Sequence, residues 1–194
     1  DVAAFSFYPS KNLGAYGDAG AITTNRRDLY EKILQLRDHG SSRKYRHDQI
    51  GFTARLNELE AAALNVKLDY LRGWNTKRRQ VASYYNSLLA DLPLITPLRN
   101  DDSVFHLYVI QTQHRDALQK HLQKQGIATG IHYPIPIHLQ KAVADLGYRH
   151  GDFPATEQLA KNILSLPMYP ELAKAQVKEI TRAIRDFFSK QRGL

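Results

Sequence analysis

The stretch "AAFSF", residues 3–7, constrains this chain more than any other. It is an aromatic-bearing apolar run with no charge to break it. A strand of that kind lies inside a sheet, since edges and solvent faces are normally marked by charged side chains. Few segments downstream offer it partners, and the chain begins at Asp1 rather than Met. The expectation is therefore that the front half of the protein lies outside this sequence. "GAITT", residues 20–24, is a second short β-rich run. The two runs flank the turn-rich loop "YPSKNLGAYGDA", which places Lys11 near a strand end.

Periodicity organises the rest of the chain. Asn25 is a predicted N-cap for a helix carrying Leu29, Ile33 and Leu36, with Gly40 as its stop signal. "SSRKYRHDQIGFT" is polar and aperiodic, so an exposed loop is expected. From Ala54, the spacing of Leu56, Leu59, Ala63, Val66 and Tyr70 predicts a long amphipathic helix, which resumes through Val81, Tyr85 and Leu88. Gly73 between the two runs reads as a bend or a tolerated weak point, and a domain boundary is placed there, giving 1–73 and 74–194. Beyond it, "DLPLITPL" reads as extended, "SVFHLYVIQT" and "IATGIHY" as strands, and "RDALQKHLQKQG" as a helix closed by Gly126. The two prolines of "PIPIHLQ" predict a fixed loop. Two further helices follow, the last with Val177, Ile180, Ile184 and Phe187 on one stripe. This mixture predicts a small α/β domain at the chain's end.

Composition removes several classes of chemistry. With no cysteine, disulfides, thiolate catalysis and cysteine-ligated zinc are excluded. No apolar run is long enough to suggest a membrane span, so no membrane partner is expected and the cytoplasm is the default location. The net charge of +8 suggests an anionic partner: nucleic acid, a phosphorylated cofactor or a nucleotide-linked substrate. No zinc finger or aromatic RNA-binding signature is present, so nucleic acid is not expected. His132 and His138 flank "YPIPI" at a spacing that suits no familiar zinc motif, and no metal site is expected.

Lys11 is the candidate reactive group. An amine becomes a nucleophile toward a carbonyl when its ammonium form is disfavoured, and a strand-end loop is a setting for that. Ser6 and Ser10 add hydroxyls, while Gly14, Gly17 and Gly20 let backbone approach a ligand closely. Read by pattern alone, Lys11 fits better a solvated lysine in a flexible loop, since most lysines are solvated.

The segment "FSFYPSKNLGAYGDAGAITTN" closely resembles the lysine segment of the DegT/DnrJ/EryC1/StrS family of sugar aminotransferases, which depend on pyridoxal 5′-phosphate (PLP). The likeness continues in order through "RDHGSSRKYRHDQIGFTARLNELEAAAL", "WNTKRRQVASYY", "GIHYPIPIHLQKA" and "LSLPMYPEL". It implies the carboxyl-terminal portion of a fold type I aminotransferase: residues 1–73 as the end of the large PLP-binding domain with the connecting helix, and 74–194 as the small α/β domain. By resemblance, Lys11 holds the cofactor covalently and moves its protons, and Ser6 contacts the cofactor phosphate. The aspartate that pairs with the pyridine nitrogen and the ring that stacks on the cofactor belong to the family's front half.

Two departures stand out. Where the family usually reads Gly-x-Asn-x-Arg, with the asparagine reaching a neighbouring subunit's cofactor phosphate, this chain has "GFTAR", and Thr53 offers a shorter hydroxyl. Asn57 and Glu60 replace the commoner Asp and Gln and are read as facing structural neighbours. The resemblance further implies that His132, Tyr133 and His138 line a sugar-nucleotide pocket, although each histidine fits equally a role in bracing a rigid loop. Arg43, Lys44 and Arg46 form either a solvated face or a diphosphate contact across a dimer interface; Lys44 is the candidate. The expected activity is amino transfer from an amino acid, L-glutamate by resemblance, to a nucleotide-linked keto sugar, by a homodimer. "GIHYPIPIHLQ" is closer to members acting on 3-keto sugars. The alternative is a non-catalytic basic fragment or module that binds nucleic acid or a protein partner, supported by charge alone.

Overall fold

In the computed structural model, which describes residues 1–98 and 102–191, the front strand β1 (Val2–Ser6) pairs antiparallel with β2 (Gly20–Thr24). The register runs from Val2 opposite Thr24 to Ser6 opposite Gly20. β1 is exposed along its whole length, and β2 is exposed up to its half-buried last residue. The chain divides into two compact units, Asp1–Gly73 and Trp74–Leu194.

In the first unit, α1 (Arg27–Leu36) starts one residue later than predicted. Its N-cap is Arg26 rather than Asn25, and the Arg26 N–H is taken by the Thr24 hydroxyl at 3.1 Å. The N-cap side chain accepts no first-turn N–H of α1; the Thr24 hydroxyl fastens only the N-cap residue itself. The helix ends at Leu36 with Arg37 as its C-cap, short of the predicted stop, and Gly40 turns the chain three residues beyond that cap. The Gly40 N–H donates to the Gln35 carbonyl, and the residue lies at φ +70°, where a Cβ would sit 1.7 Å from the Gln49 carbonyl oxygen. The expected loop after it contains a short exposed hairpin, β3 (Ser41–Arg43) with β4 (Arg46–His47), turning through Lys44 and Tyr45. Residues 51–54 then run back along the end of α1: Phe52 N–H donates to Leu36 O and Ala54 N–H to Arg37 O.

The long helix α2 (Glu58–Leu89) begins after the predicted start at Ala54 because Asn57 caps it, its side-chain oxygen accepting the Glu60 N–H at 2.9 Å. It continues through Gly73, where a Cβ would meet nothing within 4 Å. Gly73 is therefore a tolerated weak point, not a break.

The second unit has a closed core. β5 (Tyr108–Gln111) pairs antiparallel with β6 (Ile163–Leu166), a strand the sequence reading passed over. The predicted strand at 103–112 shortens to β5, and "IATGIHY" contributes a single bridge, Gly130 to Ser165. Between the strands lie α3 (Arg115–Lys124), two 3₁₀ turns (Ile137–Leu139 and Lys141–Leu146) in the proline loop, and α4 (Pro154–Asn162), with proline in its first turn. α5 (Lys174–Gln191) closes the chain and buries Val177, Ile180, Ile184 and Phe187 as their spacing predicted. Tyr85, Leu89, Tyr108, Ile110, Leu118, Leu122, Leu164 and Ile184 are fully buried. Each aliphatic side chain so removed from water contributes about 1.5–3 kcal/mol. Arg78 is buried among them and donates from one nitrogen to the carbonyls of Phe105, His106 and Met168, each at 3.2 Å.

Candidate active site

Lys11 sits in the connection between β1 and β2, in a turn closed by its own N–H donating to the Tyr8 carbonyl at 2.8 Å. The rest of the loop folds back on that turn. Ala15 N–H donates to Phe7 O at 2.7 Å, and Phe7 N–H donates to Ala19 O at 2.8 Å. Gly14 has to be glycine, because a Cβ there would lie 2.3 Å from the Pro9 carbonyl oxygen. Among the described residues no carboxylate or hydrogen-bond acceptor engages the Lys11 amine, although the side chain is half-buried. Ser6, at the end of β1, accepts the Tyr8 N–H through its hydroxyl oxygen at 3.3 Å, which leaves its own proton to donate. An unpaired amine and a hydroxyl donor at a strand end suit an aldehyde and a phosphate, the two polar ends of pyridoxal 5′-phosphate.

The other sequence-predicted residues of this unit lie on its polar straps. Thr53 is exposed in the segment beside α1, its hydroxyl 3.3 Å from a ring nitrogen of His39. Neighbouring Arg55 pairs with Asp38 at 3.3 Å. Lys44 stands at the hairpin tip, with its ammonium 5.0 Å over the ring of Tyr45, itself 85 % exposed. The hairpin is fastened by Arg46 to Asp48 and by His47 to the His39 carbonyl. Hydrogen bonds from Ser42 and Arg46 hold the Asp48 carboxyl below its ordinary range.

In the second unit, His132, Tyr133 and His138 come from the proline loop. The His132 ring packs where Gly130 lacks a side chain, since a Cβ there would be 2.6 Å from its Cε1, and its Nδ1 is 2.8 Å from the Ser165 hydroxyl. Tyr133 is 72 % exposed. The His138 side chain is just 8 % exposed; it packs on Phe153 and its Nε2 lies 3.1 Å from Glu157 Oε1. The same Glu157 oxygen accepts the Gly151 N–H at 2.8 Å, and the other carboxylate oxygen meets His150. Burial pushes the Glu157 carboxyl up, but the Gly151 N–H, the His138 bond and the charge of His150 outweigh it and hold the group below its ordinary value. An ionised Glu157 can only accept, so His138 Nε2 carries a proton.

Of the groups that fasten the lysine loop, sequence reasoning read Glu60 only as facing a structural neighbour and passed over Lys67. Glu60 accepts the Tyr16 N–H at 2.7 Å, and the Lys67 ammonium donates to the Gly14 carbonyl at 2.6 Å while lying 4.3 Å over the Tyr16 ring. Glu157 was equally invisible. The one usable signal was the placement of Glu60 and Lys67 two helical turns apart on α2.

Solved structures carry the same arrangement of elements. The structure superposes on a crystal structure of S. venezuelae DesV with a TM-score of 0.90 at 42 % identity, covering 96 % of this chain and 51 % of that one. It superposes on NtdA from Bacillus subtilis with bound cofactor PMP with a TM-score of 0.88 at 30 % identity, covering 96 % and 45 %. The class so defined is the fold type I aminotransferase, of which this chain forms the carboxyl-terminal portion. The chain belongs to the DegT/DnrJ/EryC1/StrS aminotransferase family, whose model matches residues 1–185. One relative, the dTDP-3-amino-3,4,6-trideoxy-alpha-D-glucose transaminase of Streptomyces venezuelae, is 42 % identical over 189 residues, 96 % of this chain and 50 % of its own length. The chain spans about half the length of the curated relatives it matches.

Proposed function

We propose that this chain is the lysine-bearing portion of a PLP-dependent aminotransferase that moves an amino group from an amino acid, L-glutamate, to a nucleotide-linked keto sugar. The observation that carries this reading is the Lys11 amine, held in a fastened loop with no partner of its own among the described residues, in a chain of this family. Pyridoxal 5′-phosphate, when bound, supplies an electrophilic aldehyde and a sink for the electron pair released at the amino-acid Cα. Lys11 Nζ holds the cofactor and, once released as a free amine, takes the Cα proton of the donor and delivers it onward. In the second half of the cycle the proton travels the opposite way.

Ser6 donates its hydroxyl proton to the cofactor phosphate, a geometry supported by the Tyr8 N–H occupying its oxygen. Thr53 makes the phosphate contact across the homodimer in place of the family's asparagine, with a single hydroxyl. Lys44, at an exposed hairpin tip, takes the diphosphate of the sugar nucleotide, which also fits the net charge of +8. Tyr133 and His132 contact the sugar. His138, buried against Glu157 and Phe153, serves by holding that loop. The Streptomyces venezuelae relative's name places an amino group at C3, in line with a 3-keto acceptor. In this reading the enzyme works in the cytoplasm, and among the described residues no helix is long and apolar enough to cross a membrane.

The test uses the complete polypeptide containing this chain. Added PLP, fixed with borohydride and mapped by mass spectrometry, is expected on Lys11. Lys11→Ala should lower amino transfer from glutamate by roughly three orders of magnitude or more, since proton transfer is lost together with attachment. Label on another lysine, or near-normal transfer by the variant, would overturn the reading.

A further inference from the structure

Residues 14–16 form the far arm of the loop that carries Lys11, and they are gripped from two sides. On one side is the loop's own backbone: Ala15, 2 % exposed, donates its N–H to Phe7 O, and Gly14 lies against the Pro9 carbonyl, two residues before Lys11. On the other side is α2. Lys67 Nζ donates to Gly14 O at 2.6 Å and covers the Tyr16 ring, while Glu60 Oε2 accepts the Tyr16 N–H at 2.7 Å. A Cβ at Gly17 would already be 3.3 Å from the other Glu60 oxygen. Glu60 and Lys67 are seven positions apart, on one stripe of the helix. Both commit a full charge to a neutral backbone group, and Lys67 has no carboxylate partner among the described residues.

We propose that Glu60 and Lys67 are positioning residues for Lys11: they fix the 14–16 arm and, through the seat of Gly14 on Pro9, the turn that presents the Lys11 amine to pyridoxal 5′-phosphate. The proposal rests on the reading of Lys11 as the cofactor-holding lysine. It assigns chemistry at a distance to two side chains that touch no reacting atom. A hydrogen bond to a charged group changes a local equilibrium by roughly ten- to a hundredfold, enough to decide whether an amine is held in reach of an aldehyde or samples many orientations.

The experiment compares Lys67→Met, Lys67→Arg, Glu60→Ala and Glu60→Gln in the complete enzyme. Methionine keeps the unbranched stem and the helix propensity of lysine, and glutamine keeps an acceptor oxygen, so the fold has little cause to change. Three quantities are read: amide hydrogen exchange at Tyr16 in cofactor-free protein, the rate at which added PLP becomes borohydride-fixed on Lys11, and PLP affinity in a Lys11→Ala background. Lys67→Met and Glu60→Ala are expected to raise Tyr16 exchange and to slow attachment by about tenfold each. Affinity in the Lys11→Ala background and the melting temperature should stay at parental values. Lys67→Arg and Glu60→Gln should restore the attachment rate. Attachment at the parental rate in Lys67→Met and Glu60→Ala would overturn the proposal alone. Attachment, affinity and melting temperature falling in step would also overturn it, by showing general loosening. Absence of PLP from Lys11 in the parent enzyme would overturn the cofactor reading and this proposal with it.

Discussion

In the unit Trp74–Leu194, Tyr108 and Ile110 of β5, Leu118 and Leu122 of α3, Leu164 of β6, and Val177 and Ile184 of α5 are all sealed from solvent. In Asp1–Gly73, α1 buries no residue, Val2, Phe5 and Ile22 on the strand pair are about half exposed, and the buried hydrophobic side chains are Ala15 and Leu64. The second unit is ordered by packing, which tolerates small shifts provided volume is conserved. The first is ordered by hydrogen bonds and charged clamps, which are directional and fix individual atoms. The candidate reactive amine lies in the unit organised by clamps. Position is thus set there by named contacts, and single substitutions can move it without melting a core.

Three measurements would sharpen or break this contrast. The largest effect belongs to the packed unit. Leu118→Ala should destabilise it by about 2–5 kcal/mol, whereas Ile22→Ala should shift stability by no more than about 0.5 kcal/mol. Urea unfolding of this chain, followed through its single tryptophan, Trp74, at the start of the second unit, compares the two directly. Equal losses would mean that the strand pair is packed in solution.

Acid should separate the units next. The lowered Glu157 carboxyl contributes stability that is fully present above the ordinary glutamate value of 4.5 and is lost as pH falls through the lower folded value. Asp28 and Asp48 of the first unit are shifted in the same direction, by bonds to Arg26 and to Ser42 respectively, but stand exposed. Thermal melts from pH 6 downward should therefore lose the second unit's stability along an acid limb that Glu157→Gln flattens. An unaltered limb in the variant would assign it to other carboxylates.

The smallest effect is expected from Thr53→Val in the complete enzyme. If the hydroxyl reaches a neighbouring subunit's cofactor phosphate, its loss should weaken PLP retention by up to roughly tenfold with no change in fold. Unchanged retention in a dimer would show that the phosphate is held from elsewhere.

The elements that sequence made visible are those with an apolar period: β1 and β2, the long α2, and the stripe of α5. β6 went unseen because "ILSL" is short, follows α4 directly and ends at Pro167. The hairpin at 41–47 has no apolar alternation, being fastened by polar contacts such as His47 to the His39 carbonyl. Lys11 and Ser6 could be nominated because their loop is a local motif. The partner of Glu60, read only as facing a structural neighbour, and any role for Lys67 could not, because those partners lie 44 and 53 positions away and a charged helix face ordinarily reads as solvated. His138 was nominated, while its partner Glu157, 19 positions on, was not.

Arg78 has a further consequence, one of timing. Its three acceptor carbonyls come from positions 27, 28 and 90 residues along the chain, and none is supplied by its own helix. The guanidinium can form as part of α2 early, while still hydrated, but the last of its contacts waits until the segment around Met168 has docked. A loop of that span must be closed before the contact offsets its entropy, so the Arg78 bonds are expected to close late. Arg78 should therefore act less as a guide to folding than as a latch on the finished unit, and its removal should show chiefly as faster unfolding.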